Sequence, residues 1–492
     1  MKCATLNLDT FLVDNSKINN FAIILNSTTE IIITKITMTT VEDTGTTIQI
    51  KDSIKATITT VSLSSTINPQ IDISGANTEI ILTDFNSSIL KYSKAVPTIN
   101  LLNCNLILKD IKIMNTDSTL TNSKMIFISS PNKLTVQKIH IENTNYLEAF
   151  NIVSPGLAVL LDSLSIINIT SMLETSYVIA YSSTILDFTL TNSLITNHSK
   201  ISLYSSNNFA GKKISMENVT ISNSNISNGQ ALLMWHLSST TTMKNCTFQN
   251  LLVKELREIV QPDLDLFFFF GFSSVEIFNS TFKNLGFFSW RDYYVYGGTD
   301  YSFFSFYADS TIRFIGCLFS VDDTKLNHHF IITILASTLI EISQSTFIST
   351  KKSTATPEYR SAYGLNLNTP TLIKVTNNTF ENLYCYKFPD WNTQYITNYA
   401  PICVFFSSNT ETIVKDKTAI FSFNNFTNLE CSNYGGSLSV LNYENVTISN
   451  NNDHTANTVD LDVSNNFTSV DDKALQLVFD GTSWYKVGES TN

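Results

Sequence analysis

A short phrase, an apolar residue followed by any residue and then asparagine, recurs along this chain and constrains its fold more than any other feature. The phrase is complete at ten anchors, which are Ile113, Ile141, Ile166, Ile195, Ile221, Phe248, Phe282, Phe380, Phe426 and Ile448. Three weaker copies keep the large apolar residue and replace the asparagine, at Phe319, Phe347 and Phe467. From Ile113 to Phe248 the anchors are 25 to 29 residues apart, so each repeat is one supersecondary unit.

The residues around each anchor alternate as they do in a β-strand. At 219–221 and 246–248, apolar or small residues alternate with threonine, which is the period of two of a pleated strand. A repeat of this length can be a helical hairpin, a leucine-rich repeat or one coil of a β-solenoid. The alternation favours the solenoid, and the chain keeps no leucine consensus. Residues 251–260 are the main exception, because their sequence is compatible with a short helix.

The repeats predict an all-β fold, a right-handed parallel β-helix of about 15 coils with ~4.8 Å between coils and loop insertions on one edge. The asparagine after each anchor is expected in the left-handed backbone region of a tight turn, where it can hydrogen-bond to its counterpart one coil away. The predicted ladder consists of Asn115, Asn143, Asn168, Asn197, Asn223, Asn250, Asn284, Asn382, Asn428 and Asn450. Asparagine makes up 52 of 492 residues, so abundance alone would fill this offset in roughly one or two of the thirteen repeats.

Four phrases of the form N-x-T-[FI]-x-N carry a resemblance to a known family. They lie at 218–223, 245–250, 279–284 and 445–450, and they resemble the right-handed parallel β-helix of the pectin-lyase-like superfamily. The resemblance covers roughly residues 30–470. It implies the architecture and does not imply an activity.

Catalytic motifs of that superfamily are only partly present. Its glycosidases use paired carboxylates, and they resemble one another in Asn-Thr-Asp, Asp-Asp, Gly-His-Gly and Arg-Ile-Lys segments. This chain matches the first two, at 115–117 and 322–323, about seven coils apart, and it lacks the others. The lyase pattern, an arginine base with calcium-binding carboxylates, finds no match. We therefore predict no catalytic residue, and the motifs favour a protein without enzymatic activity over an enzyme.

One local cluster has residue types that ligate metals. It consists of Asp322, Asp323, His328 and His329, and we interpret it as a solvated turn because spacing on a loop does not fix a ligand geometry. Neither a metal nor a cofactor is predicted.

The chain is expected to be a single β-helix domain over residues 1–492, because a solenoid core grows along one axis. Regular coils are predicted at about 30–250, insertion-rich coils at about 251–430, and terminal coils at 431–492. No polar cap is recognisable at either end of the sequence. The coils are therefore expected to continue in a longer polypeptide or to abut a second subunit.

Charge and hydropathy limit the partners. The net charge is −11 and there are only four arginines, which argues against nucleic acid because phosphate needs clustered cations. No stretch of ~18 apolar residues predicts a transmembrane segment. The first residues, MKCATLNLDTFLV, contain no signal-peptide core, which fits an intracellular protein, a mature chain or a fragment. The last two are favoured, and by family analogy the location is extracellular or at the cell surface.

Insertions project from a solenoid and often carry its binding residues. The intervals after Phe248, Phe282 and Phe380 are long. They hold the candidate binding residues Trp290, Tyr293, Tyr294, Tyr296, Trp391 and Tyr395. Exposed aromatic rings suit sugar stacking or protein contact, whereas the alternative is that these loops pack their rings against the solenoid flank.

Twelve N-x-[ST] sequons are candidate glycosylation sites. They are Asn26, Asn86, Asn168, Asn197, Asn218, Asn225, Asn245, Asn279, Asn377, Asn425, Asn445 and Asn466. Because 117 serines and threonines among 492 residues give about this number by chance, the count carries no information.

The seven cysteines fall into two groups of interest. Cys246 and Cys317 share one offset before their anchors and are predicted to be small inward core residues. Cys385, Cys403 and Cys431 lie in or beside the longest insertion and can include one disulfide. An odd total leaves at least one free thiol or an intermolecular bond.

These observations favour a non-catalytic extracellular or cell-surface structural protein, a rigid β-helical rod that can assemble end to end into a filament. Its expected partners are further copies or neighbouring surface proteins. The alternatives are a carbohydrate-binding adhesin and a polysaccharide-active enzyme of the pectin-lyase fold.

Overall fold

The computed structural model describes a defined set of residues. These are 5–14, 17–18, 23–26, 29–39, 42–43, 48–64, 70–88, 91–92, 97–115, 117–118, 124–129, 133–145, 148–153, 157–170, 176–181, 185–199, 201–205, 213–226, 233–236, 240–253, 267–270, 274–287, 302–307, 311–321, 329–334, 339–349, 362–368, 371–385, 402–405, 414–427, 429–431, 438–441, 443–453, 458–462, 466–469, 475–479 and 484–486. Every regular element among them is a β-strand. None of these residues belongs to a helix long and apolar enough to cross a membrane.

The chain divides into two compact units. The first comprises Met1–Ser227 with Leu232–Ser239, and the second comprises Asn228–Ala231 with Thr240–Asn492. That the whole chain is one domain stays a prediction, so the units are described one at a time.

Parallel strands build the first unit. They are β1 (Thr5–Asp14), β2 (Lys17–Ile18), β3 (Ile23–Asn26), β4 (Glu30–Thr39), β5 (Glu42–Asp43), β6 (Ile48–Lys51), β7 (Lys55–Ser64), β8 (Ile71–Ser88), β9 (Lys91–Tyr92), β10 (Ile99–Met114), β11 (Asp117–Ser118), β12 (Lys124–Ser129), β13 (Lys133–Thr144), β14 (Glu148–Val153), β15 (Leu157–Ile169), β16 (Ser176–Tyr181), β17 (Ile185–His198), β18 (Ile201–Ser205), β19 (Lys213–Ile226) and β20 (Leu233–His236).

The strands of the first unit stack one coil above the next. The longest strands follow one another in the order β1, β4, β7, β8, β10, β13, β15, β17, β19. Each of them pairs in parallel with its neighbour in that order. A second row runs β3, β6, β8, β10, β12, β14, β16, β18, also in parallel. Parallel pairing of strands about one repeat apart is the arrangement of a β-solenoid, so the predicted fold is confirmed.

Isoleucine anchors of this unit lie directly above one another. The register pairs Ile113 with Ile141, Ile141 with Ile166, Ile166 with Ile195, and Ile195 with Ile221. All five are fully buried. Because alternate residues of a strand face opposite sides, these anchors face the core and the residues before them, such as His140 and Ser165, face outward.

Parallel strands also build the second unit. They are β21 (Thr240–Lys244), β22 (Thr247–Val253), β23 (Phe267–Phe270), β24 (Ser274–Phe278), β25 (Thr281–Phe287), β26 (Ser302–Tyr307), β27 (Thr311–Ile315), β28 (Leu318–Val321), β29 (His329–Ile334), β30 (Leu339–Ser343), β31 (Thr346–Ser349), β32 (Ala362–Asn368), β33 (Leu372–Thr376), β34 (Thr379–Glu381), β35 (Tyr384–Cys385), β36 (Ile402–Phe405), β37 (Val414–Ser422), β38 (Asn425–Thr427), β39 (Glu430–Cys431), β40 (Leu438–Leu441), β41 (Tyr443–Ser449), β42 (Asn452–Asp453), β43 (Thr458–Asp462), β44 (Asn466–Ser469), β45 (Leu475–Phe479) and β46 (Trp484–Lys486).

Three rows of parallel strands form this second stack. The first runs β21, β24, β27, β30, β33, β37, β41, β44. The second runs β22, β25, β28, β31, β34, β38, β42. The third runs β23, β26, β29, β32, β36, β40, β43, β45, and β46 then pairs with β45 in the antiparallel sense.

Phenylalanine rings stack through the core of the second unit. The anchors Phe248, Phe282, Phe319, Phe347, Phe380 and Phe426 are successive register partners. Neighbouring ring centroids are 4.6 to 5.5 Å apart, and their planes lie within 20° of parallel. The weaker copies at Phe319 and Phe347 therefore belong to the repeat.

Some expectations of detail were wrong. Ile448 pairs with Phe421 and Phe467 pairs with Val446, so both lie in the first strand row and are not anchors of the second. The coil count also differs from the expected number of about 15. One reason is that β1 forms a coil before residue 30, where the regular coils were predicted to begin.

The sequence of residues 251–260 was compatible with a short helix, but the described part of this segment is a strand. Leu251 to Val253 continue strand β22, where Leu251 is buried and pairs with Leu285. Pairing with the next coil satisfies the backbone there and overrides local helix propensity. The rest of that stretch lies outside the described residues.

Candidate functional site

Asparagines at the coil corner after the anchor form an outward hydrogen-bonded row in the first unit. Asn143 donates to Asn115 at 3.3 Å, Asn168 donates to Asn143 at 3.0 Å, and Asn197 donates to Asn168 at 3.0 Å. Their φ angles are 50°, 50°, 56° and 59° in chain order. Asparagine fits this position because it tolerates the left-handed region and its amide can both donate and accept.

The remaining asparagines of the predicted ladder are placed as follows. Asn223 and Asn382 have φ angles of 49° and 54°, and Asn284 donates to Asn250 at 3.0 Å. Asn450 has a φ of 54° but follows the strand that pairs with β37, so it stands at the preceding corner beside Phe423. Asn428 lies outside the described residues.

A second row of left-handed residues, three positions before the anchor, was missed by sequence reasoning. In the first unit these are Asp110, Lys138, Ser163, Asn192 and Asn218, and in the second they are Asn245, Asn279, Gly316, Gln344, Asn377 and Phe423. The signal was present, because the first asparagine of each N-x-T-[FI]-x-N phrase at 218–223, 245–250 and 279–284 is this residue. At Gly316 the row requires glycine: φ is 67°, and an added Cβ would lie 2.5 Å from Asn279 Oδ1.

Most candidate glycosylation asparagines are exposed at these corners or on outward strand faces. The exposed ones are Asn26, Asn86, Asn168, Asn197, Asn218, Asn245, Asn279, Asn377 and Asn445. Asn225 and Asn425 are half-buried, and Asn466 lies in β44. The amide nitrogens of Asn168, Asn197 and Asn218 already donate to a neighbouring asparagine. Glycosylation of any of them stays a prediction.

The candidate aromatic binding residues, Trp290, Tyr293, Tyr294, Tyr296, Trp391 and Tyr395, lie outside the described residues. The same holds for Asp322, Asp323 and His328, whereas His329 begins β29. Within the part of the chain that is described, no three His, Cys, Asp or Glu side chains are grouped to hold a metal ion. Carbohydrate binding by the insertions therefore stays a prediction.

Inside the second unit, polar side chains two positions before the anchor hydrogen-bond from coil to coil. The Asn378 backbone N–H donates to Asn424 Oδ1 at 3.0 Å, and the Asn424 N–H donates to Asn451 Oδ1 at 2.8 Å. The Ser345 N–H likewise donates to Asn378 Oδ1 at 2.9 Å, and the Cys317 N–H donates to Ser345 Oγ at 3.1 Å. Because backbone groups at a buried corner need partners, this interior ladder stabilises the turn.

The two cysteines of this row are buried core residues, as expected. Cys246 and Cys317 are buried and not joined in a disulfide, and each sulfur lies within 3.6 Å of a backbone carbonyl oxygen. Burial raises the pKa of Cys317 to about 11. A thiol that stays protonated is a poor nucleophile, so neither its position nor its ionisation suits covalent catalysis.

One hydrogen-bonded chain on the outer face of the first unit has catalytic residue types. His140 Nδ1 lies 3.0 Å from Ser165 Oγ, and His140 Nε2 lies 3.0 Å from Glu142 Oε2. The backbone of Ser165 belongs to β15, which is paired on both edges, by β13 and β17. Its N–H is therefore directed into a sheet and cannot bind an oxyanion, as acyl transfer would require. We interpret the chain as a surface hydrogen-bond network.

Two other polar groups have a structural explanation. Arg313 contacts Glu276 at 2.8 Å and Glu341 at 3.2 Å, because the register places the three side chains on successive strands. Hydrogen bonds from Thr191 at 2.7 Å and Asn192 at 2.8 Å hold the pKa of Asp162 below its usual range. Each interaction joins neighbouring coils and so fixes their register.

A buried histidine lies in the core of the first unit. His198 is 2% exposed and pairs in register with Ile169. Burial lowers its pKa to about 3, and the backbone of Ile166 opposes this shift only in part. The imidazole is therefore neutral at physiological pH and packs as a core residue.

Strand β1 differs from the other long strands of the first unit. Among the described residues it pairs with β4 alone. Its inward residues Leu6, Leu8 and Phe11 are only half-buried, while Ile33 and Ile36, which pair with Leu8 and Phe11, are fully buried. Leu12 is 66% exposed. Within the described part of the chain, one edge of this strand therefore has no strand partner, and the apolar core beside it is only partly covered.

Comparisons with known proteins add little to this geometry. No family model matches the chain, and no curated protein matches it. Among solved structures, a mutant of the PL6 family alginate lyase AlyGC is similar with a TM-score of 0.21 and 8% identity over 96% of each chain. The assignment of a parallel β-solenoid therefore rests on the strand pairing of the chain itself.

Proposed function

We propose that this chain is a structural protein that self-associates through the edge of β1, pairing with β1 of a second copy. The observation that carries the proposal is that, among the described residues, the ten-residue strand β1 has a strand partner on one edge alone, next to half-buried Leu6, Leu8 and Phe11. A strand edge and exposed apolar side chains are the two features that drive strands to pair across an interface. Location outside the cell or at its surface stays a prediction.

The sequence of β1 is self-complementary in the antiparallel sense. A two-fold axis that passes between Asp9 and Thr10 would run the two β1 strands in opposite directions. Leu8 of one copy would then lie opposite Phe11 of the other, and both positions face the core, as their partners Ile33 and Ile36 do. Such a contact would complete both apolar cores at once.

The charges of β1 are compatible with the same register. Its two carboxylates, Asp9 and Asp14, would lie opposite Thr10 and Thr5, so no two acidic positions would face each other. Like charges directly opposite in a sheet are destabilising, and this register avoids them. A second copy is therefore an occupant whose pattern fits the edge.

Sedimentation velocity of the wild-type chain over a range of concentrations tests the proposal, with a concentration-dependent dimer as the expected result. The substitution Leu8→Lys should weaken the dimer about a hundredfold or more, because two-fold symmetry makes each lost apolar contact count twice. The matched control is Leu194→Lys, which changes a 38% exposed leucine on β17, a strand paired on both edges. It should leave the dimer unchanged.

Three results would count against the proposal. A wild-type chain that stays monomeric at its highest soluble concentration would remove self-association. A dimer weakened equally by Leu8→Lys and Leu194→Lys would remove β1 as the interface. Open-ended filaments in place of dimers would indicate head-to-tail stacking of coils instead of two-fold pairing.

A further inference from the structure

Two segments of the second unit have nearly the same sequence. Residues 378–385 read NTFENLYC and residues 424–431 read NNFTNLEC, with identical residues at the Asn, Phe, Asn, Leu and Cys positions. A constant offset of 46 residues separates the two segments, so each position of one has its counterpart in the other.

The structure aligns these segments on neighbouring coils. Phe380 pairs with Phe426, and the Asn382 N–H donates to the Thr427 carbonyl at 3.0 Å. Leu383 and Leu429 are both buried. Strands β35 and β39 then pair in parallel, with Cys385 the register partner of Cys431. The two cysteines therefore occupy equivalent positions one coil apart.

From this register we propose that Cys385 and Cys431 form a disulfide. Paired strands lie ~4.8 Å apart, and Cα atoms joined by a disulfide are about 4.4 to 6.8 Å apart. The backbone thus holds the two residues at a bridging distance without any change of register. The bond would close a loop that contains the insertion with Trp391 and Tyr395.

Other described cysteines do not share this arrangement. Cys403 pairs with Asn366 and Ser439, and Cys104 pairs with Thr78. Cys246 and Cys317 are separated by the coil of Ser280, which places their backbones roughly 9.6 Å apart and beyond the reach of a disulfide. Among the six described cysteines, register therefore selects the pair Cys385 and Cys431.

The bond forms by thiol–disulfide exchange with a small-molecule disulfide such as oxidised glutathione. One cysteine thiolate attacks the oxidant, which gives a mixed disulfide and releases one glutathione thiolate. The second cysteine thiolate attacks the protein sulfur of that mixed disulfide and releases the other glutathione. Two protein thiols are thus oxidised while one glutathione disulfide is reduced to two thiols. Such bonds persist in oxidising compartments.

Mass spectrometry of the full chain tests the pairing directly. The chain is secreted from a host with an oxidising secretory pathway, denatured, alkylated without reduction and digested. We expect a peptide pair joined through Cys385 and Cys431, with Cys246 and Cys317 alkylated. Alkylation of both Cys385 and Cys431, or a bond from either to Cys403, would overturn the proposal.

Counting free thiols in single variants gives an independent test. If the bond exists, Cys385→Ser removes one cysteine but frees Cys431, so the number of thiols titrated under denaturing conditions rises by one per chain relative to wild type. Cys431→Ser should do the same. The matched control Cys403→Ser, which lies outside the bond, should lower the count by one. A fall by one in all three variants would show that no such bond exists.

Discussion

The two units fill the interior of their coils with different kinds of side chain. In the first unit the anchors are isoleucines, and the inward residues two positions earlier are mostly aliphatic: Ile111, Ile139, Leu164, Ser193 and Val219. In the second unit the anchors are stacked phenylalanines, and the equivalent residues are small or polar: Cys246, Ser280, Cys317, Ser345, Asn378 and Asn424. A larger side chain at one core position is thus accompanied by a smaller one at its neighbour, as close packing requires.

This exchange also changes how the corner is held. Leu164 receives a side-chain partner for its backbone N–H from Ser193 at 3.1 Å. In the second unit such bonds recur, through Ser280, Ser345, Asn378, Asn424 and Asn451. A coil corner can therefore be stabilised mainly by aliphatic packing, as in the first unit, or by a buried polar ladder, as in the second.

Removing one ring from the phenylalanine stack should have the largest effect. Phe319→Ala is expected to lower the free energy of unfolding by about 3–5 kcal/mol, because it deletes a buried ring between Phe282 and Phe347 and leaves a cavity. Urea denaturation followed by circular dichroism measures the change. Leu194→Ala, at an exposed position, is the control and should change stability by less than about 0.5 kcal/mol.

Breaking the interior ladder should cost somewhat less. Asn424→Leu removes the acceptor for the Asn378 N–H and the donor to the Val375 carbonyl at 2.8 Å, so about 3 kcal/mol is expected from buried groups left without partners. The reverse exchange, Leu164→Asn in the first unit, should also be destabilising because its neighbours are arranged for packing. If either substitution left the free energy of unfolding unchanged in urea denaturation, the two kinds of corner would be interchangeable. The difference between the two units would then have no energetic basis.

The buried histidine gives the first unit an acid sensitivity of its own. The unfolded chain binds a proton at His198 below its ordinary pKa of 6.5, whereas the folded chain does not until about 3. Stability should therefore be fully present above pH 6.5 and fall as the pH drops, by about 2 kcal/mol between pH 7 and pH 5. Asp162 contributes only at lower pH, because its lowered pKa affects stability as its carboxyl protonates.

A pH series of urea denaturation curves, read by a probe in the first unit, measures this dependence. In His198→Leu the loss of free energy of unfolding between pH 7 and pH 5 should be about 2 kcal/mol smaller than in wild type. An unchanged slope in the variant would show that His198 is not the group responsible.

The outward asparagine row should contribute least. Asn168→Ala is expected to cost about 1–2 kcal/mol, since alanine must adopt a φ of 56° and the amide bonds to Asn143 and Asn197 are lost. Asn168→Gly tolerates the φ and loses only the exposed bonds, so it should cost roughly 0.5 kcal/mol less. Thermal melts of both variants separate the two contributions. Equal costs would mean that backbone conformation plays no part in the choice of asparagine.

The sequence predicted those features that repeat with a fixed spacing. Anchor stacking was readable because inward residues such as Ile141 and Phe248 recur at one offset, and the left-handed corner followed from the asparagine two residues later. The preceding corner was harder to read, because Lys138, Gln344 and Phe423 occupy it beside asparagines and blur the pattern. The sequence also could not show the register of Ile448, because there the same asparagine phrase belongs to the first strand row.

Candidate binding residues were the least predictable part. Aromatic residues such as Trp290 and Trp391 stand in insertions whose lengths differ from coil to coil, so no repeat fixes their place. The sequence indicated no cap at either end, but it could not show that Leu6 and Leu8 are only half-buried, because their exposure depends on which strands pair and not on local sequence.

An experimental density map of the second unit would show whether its coils stack in register. We expect the rings of Phe248, Phe282, Phe319, Phe347 and Phe380 to form one column with neighbouring centroids about 5 Å apart, as successive strands require. Rings that point to different faces of the strands, or anchors displaced by a residue between neighbouring coils, would contradict it.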